Sequence, residues 1–346
     1  MEITTDVYLG DSREKLKLLP GNSVDLVITS PPYADQRKKT YGGIHSDKYV
    51  EWFLPVSEQL LRILKPAGTF ILNIKEKVVE GERSTYVMEL IIEMRKQGWL
   101  WTEEFIWHKK NCYPGKWPNR FRDAWERLLQ FNKNRKFNMY QDEVMVPMGD
   151  WANSRLRNLS DTDKIRDNSK VGSGFGKNIS NWLDRDKAYP TNVLYLATEC
   201  NNKNHSAAFP EELPEWFIKL FTREYDTVLD PFMGSGTTLI VANRMKRNSI
   251  GIDIIPEYCE SVKKQLKTVD KIIKHLWKIK EQAAKEAKND IDERCRLLRE
   301  RDKKPGAVVV DLSKNQRRLI HSNEKEKCPS RRGVEPSILM TLKTKR

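Results

Sequence analysis

The apolar positions of the chain fall into short runs separated by amphipathic stretches. Val24 to Ile28 is nearly continuous, broken only by Asp25, as expected of a strand covered on both faces of a parallel sheet. Strands are also predicted at Thr69 to Ile74, Trp101 to Trp107, Leu128 to Phe131, Asp226 to Leu229 and Ser249 to Ile252. Helical spacing occupies Ser12 to Leu19, Lys48 to Lys65, Thr85 to Gln97 and Thr237 to Met245. Alternation of the two patterns over residues 6–131 predicts a parallel, doubly wound α/β sheet.

That rhythm stops at residue 133. From there to about 190 the chain is rich in Asn, Ser, Asp, Arg and Gly, including Gly172-Ser173-Gly174-Phe175-Gly176, and long irregular segments are usually functional or disordered. One long helical pattern, rich in Lys, Ala and Glu, runs from Pro256 to about Lys304. The expected parts are therefore residues 1–132, 133–190, 191–268 and 269–346.

Two motifs follow apolar runs directly. The second, Asp230-Pro231-Phe232-Met233-Gly234-Ser235-Gly236-Thr237-Thr238, reads as strand, tight turn and helix start, with Gly234 and Gly236 permitting the turn. A helix N-terminus and backbone N–H groups there favour a ligand carboxylate or phosphate. The loop alone does not distinguish them. Thr237-Thr238-Leu239 stands where a dinucleotide fingerprint needs its third glycine, which disfavours a nicotinamide cofactor. Asp230 suits a ligand ammonium, and Asp253, ending the next strand, suits ribose hydroxyls. An amino acid joined to a nucleoside fits both; the plainer reading is a strand-to-helix turn with Asp230 as a helix-start residue.

The first motif is Thr29-Ser30-Pro31-Pro32-Tyr33. Consecutive prolines remove two backbone donors and fix φ, so the carbonyls of Ser30 and Pro31 are aimed as acceptors for an amino group. The Tyr33 ring offers a surface for a base taken out of the duplex. A strand-ending turn with a half-buried Tyr is the alternative.

In this order, the two motifs resemble those of the beta-group DNA amino-methyltransferases, which use S-adenosylmethionine. Tyr8-Leu9-Gly10-Asp11-Ser12 resembles the family strand whose acidic residue meets the cofactor adenine, and His205-Ser206-Ala207-Ala208-Phe209-Pro210 resembles the segment leading toward the cofactor loop. A helix N-cap is the lesser alternative for Asp11, and a structural histidine is an equal alternative for His205. The resemblance covers about residues 5 to 265 apart from the middle. It implies a circularly permuted Rossmann-like S-adenosylmethionine-dependent methyltransferase sheet, with an inserted DNA target-recognition segment at 133–190 and a basic helical C-terminal tail. Ser30, Pro31, Pro32 and Tyr33 become the catalytic candidates. Asp11, His205, Phe209, Asp230, Pro231, Phe232, Gly234, Ser235, Gly236, Thr237 and Asp253 become the cofactor-binding candidates.

Charge adds a partner. The net charge is +14, and residues 256–346 supply +11 of it with 25 Lys plus Arg against 14 Asp plus Glu. Such an excess suits phosphate binding. Arg37, Lys38 and Lys39 follow the first motif, and Lys109, Lys110, Lys116, Arg120 and Arg122 are interleaved with Tyr113 and Trp117. Within 133–190, Arg155, Arg157 and Arg166 are candidates for guanine contacts. Five cysteines lie in no metal-ligand spacing, so free thiols and no zinc are expected. The N-terminus lacks signal-peptide features and no apolar run reaches membrane length, so a cytoplasmic, DNA-associated protein is expected, as monomer or homodimer.

The function expected is methylation of an exocyclic amino group in double-stranded DNA, at cytosine N4, alongside a partner restriction endonuclease. Family members with Ser at the position of Ser30 mostly modify cytosine, and those with Asp or Asn mostly adenine N6, which is the alternative. No cysteine is placed for ring-carbon methylation, since Cys112 is followed by Tyr113 before Pro114. A DNA-binding regulator without catalysis is the remaining alternative.

Overall fold

In a computed structural model, the described residues are 3–35, 42–112, 115, 119–149, 154, 158, 185–198, 209–268, 308–310 and 319–321. The chain divides into two compact units, Met1–Lys274 and His275–Arg346.

The first unit is built on eight strands: β1 (Thr5–Leu9), β2 (Val24–Thr29), β3 (Leu64–Ile74), β6 (Leu100–Lys109), β7 (Trp125–Asn132), β10 (Val193–Leu196), β11 (Thr227–Asp230) and β12 (Asn248–Asp253). The short strands β4 (Val78–Val79) and β5 (Glu82–Arg83) form a hairpin, and β8 (Val146–Pro147) pairs with β9 (Lys187–Ala188). The sheet order is β1-β12-β11-β2-β3-β7-β6-β10. In the second unit, β13 (Val308–Val310) pairs antiparallel with β14 (Leu319–His321).

The expectation of a parallel sheet is corrected at β7, which runs antiparallel to both β3 and β6. β6 and β7 are joined by residues 110–124, among whose described positions there is no helix. Parallel neighbours need a crossover, usually helical, whereas a direct return gives an antiparallel pair.

Every residue of β2 is buried, which is why its sequence is apolar on both sides of the pleat. Val27 joins Tyr49, Phe53 and Leu60 of the helix Ser46–Ile63, and Leu90 and Met94 of the helix Tyr86–Lys96. Leu26 and Ile28 join Leu213 and Phe217 of the helix Glu212–Phe221, and Val241 of the helix Thr237–Arg244. Helices thus cover both faces; Ser46–Ile63, Tyr86–Lys96 and Glu212–Phe221 dock by an apolar stripe, whereas Thr237–Arg244 is buried continuously from Thr238 to Asn243.

Helix boundaries follow local chemistry. Asp11 caps Ser12–Lys15, which tightens into a 3-10 turn at Leu16–Leu18 where a longer helix was expected. The helix Ser46–Ile63 tolerates Pro55 and runs directly into β3, so that strand begins five residues earlier than its apolar run suggested. Residues 256–268 are helical; the remainder of the long pattern expected to reach Lys304 lies outside the described residues. Among the described residues, no helix is long and apolar enough to cross a membrane.

One topological fact positions the site. From β2 the chain crosses to β3 over one face, and from β11 it crosses to β12 over the other. β2 and β11 are themselves adjacent and parallel, with Val228 beside Leu26 and Leu229 beside Val27. Ligands of open α/β sheets bind beyond the strand C-termini at such a reversal of direction.

Candidate active site

Both sequence motifs begin at that reversal. Thr29, the last residue of β2, donates its hydroxyl to Asp230 Oδ1 at 2.7 Å, and Thr238 donates to Asp230 Oδ2 at 2.8 Å. The Phe232 N–H reaches Oδ1 at 3.1 Å. Asp230 is only 1% exposed. Burial pushes its pKa up to about 6, against the three hydrogen bonds that favour the anion and with Asp253 adding repulsion. Both Asp230 oxygens are thus hydrogen-bonded inside the protein, and the carboxylate ties the two motifs together.

The strand ends around it are bonded to one another. Gly10 N–H donates to the Asp253 carbonyl at 2.9 Å, and the Ser12 hydroxyl donates to the Pro231 carbonyl. The Asp253 carboxylate accepts from Gly234 N–H and Ile255 N–H, both at 2.9 Å, and is 4% exposed. The loops carrying Asp11, Pro231, Phe232, Gly234, Ser235, Gly236, Thr237 and Asp253 thus lie together at the strand ends.

Their chemistry differs in two respects from the sequence reading. The N–H groups of Phe232, Met233, Gly234 and Gly236 all bond within the protein, so they do not form a ring of donors aimed outward. Asp11 is the N-cap anticipated as its alternative role, accepting from Arg13 N–H at 2.8 Å and pairing with the Arg13 guanidinium at 2.6 Å. That pairing lowers its pKa despite partial burial.

The loop nevertheless keeps room for a ligand. Gly234 has φ +49°, and a Cβ there would meet nothing within 4 Å. Gly236 has φ +77° and is packed from behind, where a Cβ would lie 2.5 Å from Val262 Cγ2. Beside them, the Phe232 ring lies 5.6 Å from Trp52 and 6.4 Å from Phe53. Phe209 is separate: it packs with Phe217 and Leu213 in the core beneath the helix Glu212–Phe221. His205 lies outside the described residues.

On the β3 side of the reversal, Ser30 and Tyr33 enter a polar network. The Ser30 hydroxyl donates to Tyr33 Oη at 3.3 Å, and Tyr33 donates to Glu126 Oε2 at 2.7 Å, with Asn73 Oδ1 also 3.1 Å from the phenol. Asn73 Nδ2 donates to the same Glu126 oxygen at 3.2 Å, and Lys109 Nζ pairs with Glu126 Oε1 at 2.5 Å. Glu126 is 7% exposed, so the ammonium and hydrogen bonds offset the cost of burying its charge. Burial, then the Glu126 charge, raises the Tyr33 pKa well above its ordinary value and keeps it a hydrogen-bond donor.

With its proton directed to Tyr33, Ser30 presents oxygen lone pairs as acceptors. Pro31 is buried and Pro32 half-buried, consistent with a fixed turn. Glu126, Asn73 and Lys109 were not singled out from sequence. A signal was present in Asn73, a polar residue within the apolar run at the end of β3, where an unpaired polar group is costly; Glu126 is one of several polar residues of β7 and carries no such signal.

Arg37, Lys38, Lys39, Arg155, Arg157 and Arg166, the candidate DNA contacts, lie outside the described residues, as do Tyr113, Lys116 and Trp117. Lys109 is instead committed to Glu126.

Comparison with known proteins agrees with this architecture. A family model described as DNA methylase, for N6 and N4 methyltransferases, matches residues 24–264. The type II methyltransferase M.PvuII of Proteus hauseri is 34% identical over 276 residues, spanning 73% of this chain and 80% of that protein. M.BglII of Bacillus subtilis is 30% identical over 256 residues, spanning 73% of this chain and 66% of its own length. The solved PvuII DNA methyltransferase, described as cytosine-N4-specific, superposes with a TM-score of 0.57 at 27% identity, covering 77% of this chain and 91% of that one. A sheet reversal carrying a proline-fixed acceptor motif on one strand and a glycine loop on the other, matched over most of its length by these enzymes, places the chain in the DNA methylase family, whose methyl donor is S-adenosylmethionine.

Proposed function

We propose that this DNA methyltransferase modifies the N4 amino group of cytosine. The observation carrying the reading is the orientation of Ser30, whose hydroxyl donates to Tyr33 and so offers an acceptor at the end of β2. Ser at this position resembles the cytosine-N4 members of the family, and the similar PvuII enzyme is described as cytosine-N4-specific. Adenine N6 is the second reading, because it presents the same amino chemistry.

An exocyclic amino nitrogen is a poor nucleophile because its lone pair is delocalised into the ring. Ser30 and the carbonyls fixed by Pro31 and Pro32 accept its N–H bonds and favour a more tetrahedral nitrogen. Glu126, held by Lys109, fixes the Tyr33 phenol and through it the Ser30 rotamer. Catalysis here is positioning and electrostatic stabilisation, with no covalent enzyme intermediate. S-adenosylmethionine supplies an electrophilic methyl group when bound. Asp11, Phe232, Gly234, Ser235, Gly236, Thr237 and Asp253 would hold it, with the open side of Gly234 accommodating its approach and the buried Asp230 charge favouring its cationic portion.

Residues 133–190 carry target recognition in this reading, and a restriction endonuclease of the same host is the functional companion. Sequencing DNA from an expressing host with modified bases distinguished tests base and site together. N4-methylcytosine at one short sequence is expected; N6-methyladenine selects the second reading, and unmodified DNA overturns both.

A further inference from the structure

Phe121 is 94% exposed, more than any other large hydrophobic side chain among the described residues; Leu18 follows at 67%. It lies between β6 and β7, and strand register fixes which end of the sheet that is. Leu72 lies beside Thr29, Ile74 opposite Arg127, and Trp125 opposite His108. The connection therefore emerges at the end of the sheet bearing Ser30 and Tyr33. Glu126, bonded to Tyr33, is five residues beyond Phe121, a contour of at most about 17 Å.

The segment carrying Phe121 is anchored. Asp123 pairs with Arg83 at 2.9 Å, Lys75 at 3.1 Å and Arg120 at 3.5 Å, while the Arg122 guanidinium donates to the Cys112 carbonyl at 3.4 Å. Three cations on one carboxylate, two residues along the chain from Phe121, leave an excess of positive charge on the segment that carries it. The cations hold Asp123 below the ordinary carboxylate range although burial opposes them. A cationic, fixed base carrying a fully exposed ring suits a surface that is anionic outside and stacked within. Duplex DNA has that chemistry, and it is the substrate of this family.

Methylating a base amino group requires the base to leave the stack, at a cost of a few kcal/mol. Apolar side chains can wedge between base steps, and aromatic stacking on a base contributes about 1–3 kcal/mol. We propose that Phe121 enters the duplex and occupies the gap left by the extruded target base, with Arg83, Arg120 and Arg122 against the flanking phosphates.

The test uses the full-length enzyme and two duplexes containing its methylation site, one with the target base paired and one with an abasic position opposite it. Single-turnover methylation is measured with enzyme and S-adenosylmethionine saturating. On the paired duplex, Phe121→Ala is expected to be at least tenfold slower than wild type, and Phe121→Leu to lose less. On the abasic duplex, where no pair has to open, Phe121→Ala is expected to come within about twofold of wild type. A wild-type rate for Phe121→Ala on the paired duplex overturns the proposal, as does the same fractional loss on both substrates. An unchanged melting temperature and S-adenosylmethionine affinity exclude a folding defect. Failure of the wild-type enzyme on both duplexes would instead count against the methylated site itself.

Discussion

Thr29 and Asp230 stand 201 residues apart in sequence and share a buried hydrogen bond of 2.7 Å, so the catalytic motif and the cofactor loop are one bonded assembly. Replacing Thr29 by Val conserves shape but removes a donor to a buried carboxylate. The expected cost is about 1–3 kcal/mol. The loss should be larger at pH 8 than at pH 4.5, because the donor favours the ionised form of Asp230. Chemical denaturation at the two pH values measures it, and equal losses would show that the bond does not report on that charge.

Asp230 itself should destabilise the fold as pH rises. Its native pKa of about 6 is above the ordinary value of about 3.9 in an unfolded chain, so its relative contribution is fully present below about pH 4 and is lost as pH rises through about 6. The shift corresponds to an upper bound of about 3 kcal/mol. Asp230→Asn should remove most of this dependence. Denaturation midpoints compared from pH 4 to 8 test it; identical profiles for the two proteins would refute the assignment. The wild type should also release protons on binding S-adenosylmethionine near pH 6, because a cationic ligand favours the anion. Calorimetry in buffers of different ionisation enthalpy measures that release.

Tyr33 separates two accounts of the first motif. The sequence offered its ring as a stacking surface, whereas the structure anchors its hydroxyl to Glu126 at 2.7 Å. If the hydroxyl positions Ser30, Tyr33→Phe should lower kcat at least tenfold without changing S-adenosylmethionine affinity. Glu126→Gln should fall in the same direction, with KM for DNA changed less than kcat. A fully active Tyr33→Phe enzyme would restore the ring alone as the contributor.

The sequence revealed the parts governed by local pattern. The apolar run through Val24 to Ile28 identified a strand buried on both faces, and Gly234 and Gly236 identified a tight turn, which the structure shows to be left-handed at both glycines. The two motifs also led to the family and its cofactor chemistry. What remained hidden was relational. The helix-free connection accounts for the antiparallel β6–β7 pair, but nothing local shows that β7 also lies beside β3, and Glu126 gains meaning only when its strand returns beside Asn73 and Lys109. Likewise, Asp230 had the right chemistry for an ammonium, but tertiary packing turned its carboxylate toward Thr29 and Thr238.

The two loop glycines should separate ligand accommodation from folding. At Gly234, an added methyl has no neighbour within 4 Å and faces only the cost of φ +49°; Gly234→Ala should lose about 1 kcal/mol of stability while weakening S-adenosylmethionine binding at least tenfold. At Gly236, the same methyl would lie 2.5 Å from Val262 Cγ2 in addition to requiring φ +77°. Gly236→Ala should therefore be the less stable protein, and Val262→Ala should recover part of that loss by making room. Denaturation of the single and double variants, together with calorimetric titration of each folded protein, measures both effects. If Gly234→Ala binds S-adenosylmethionine as the wild type does, the open side of this turn is not where the cofactor approaches.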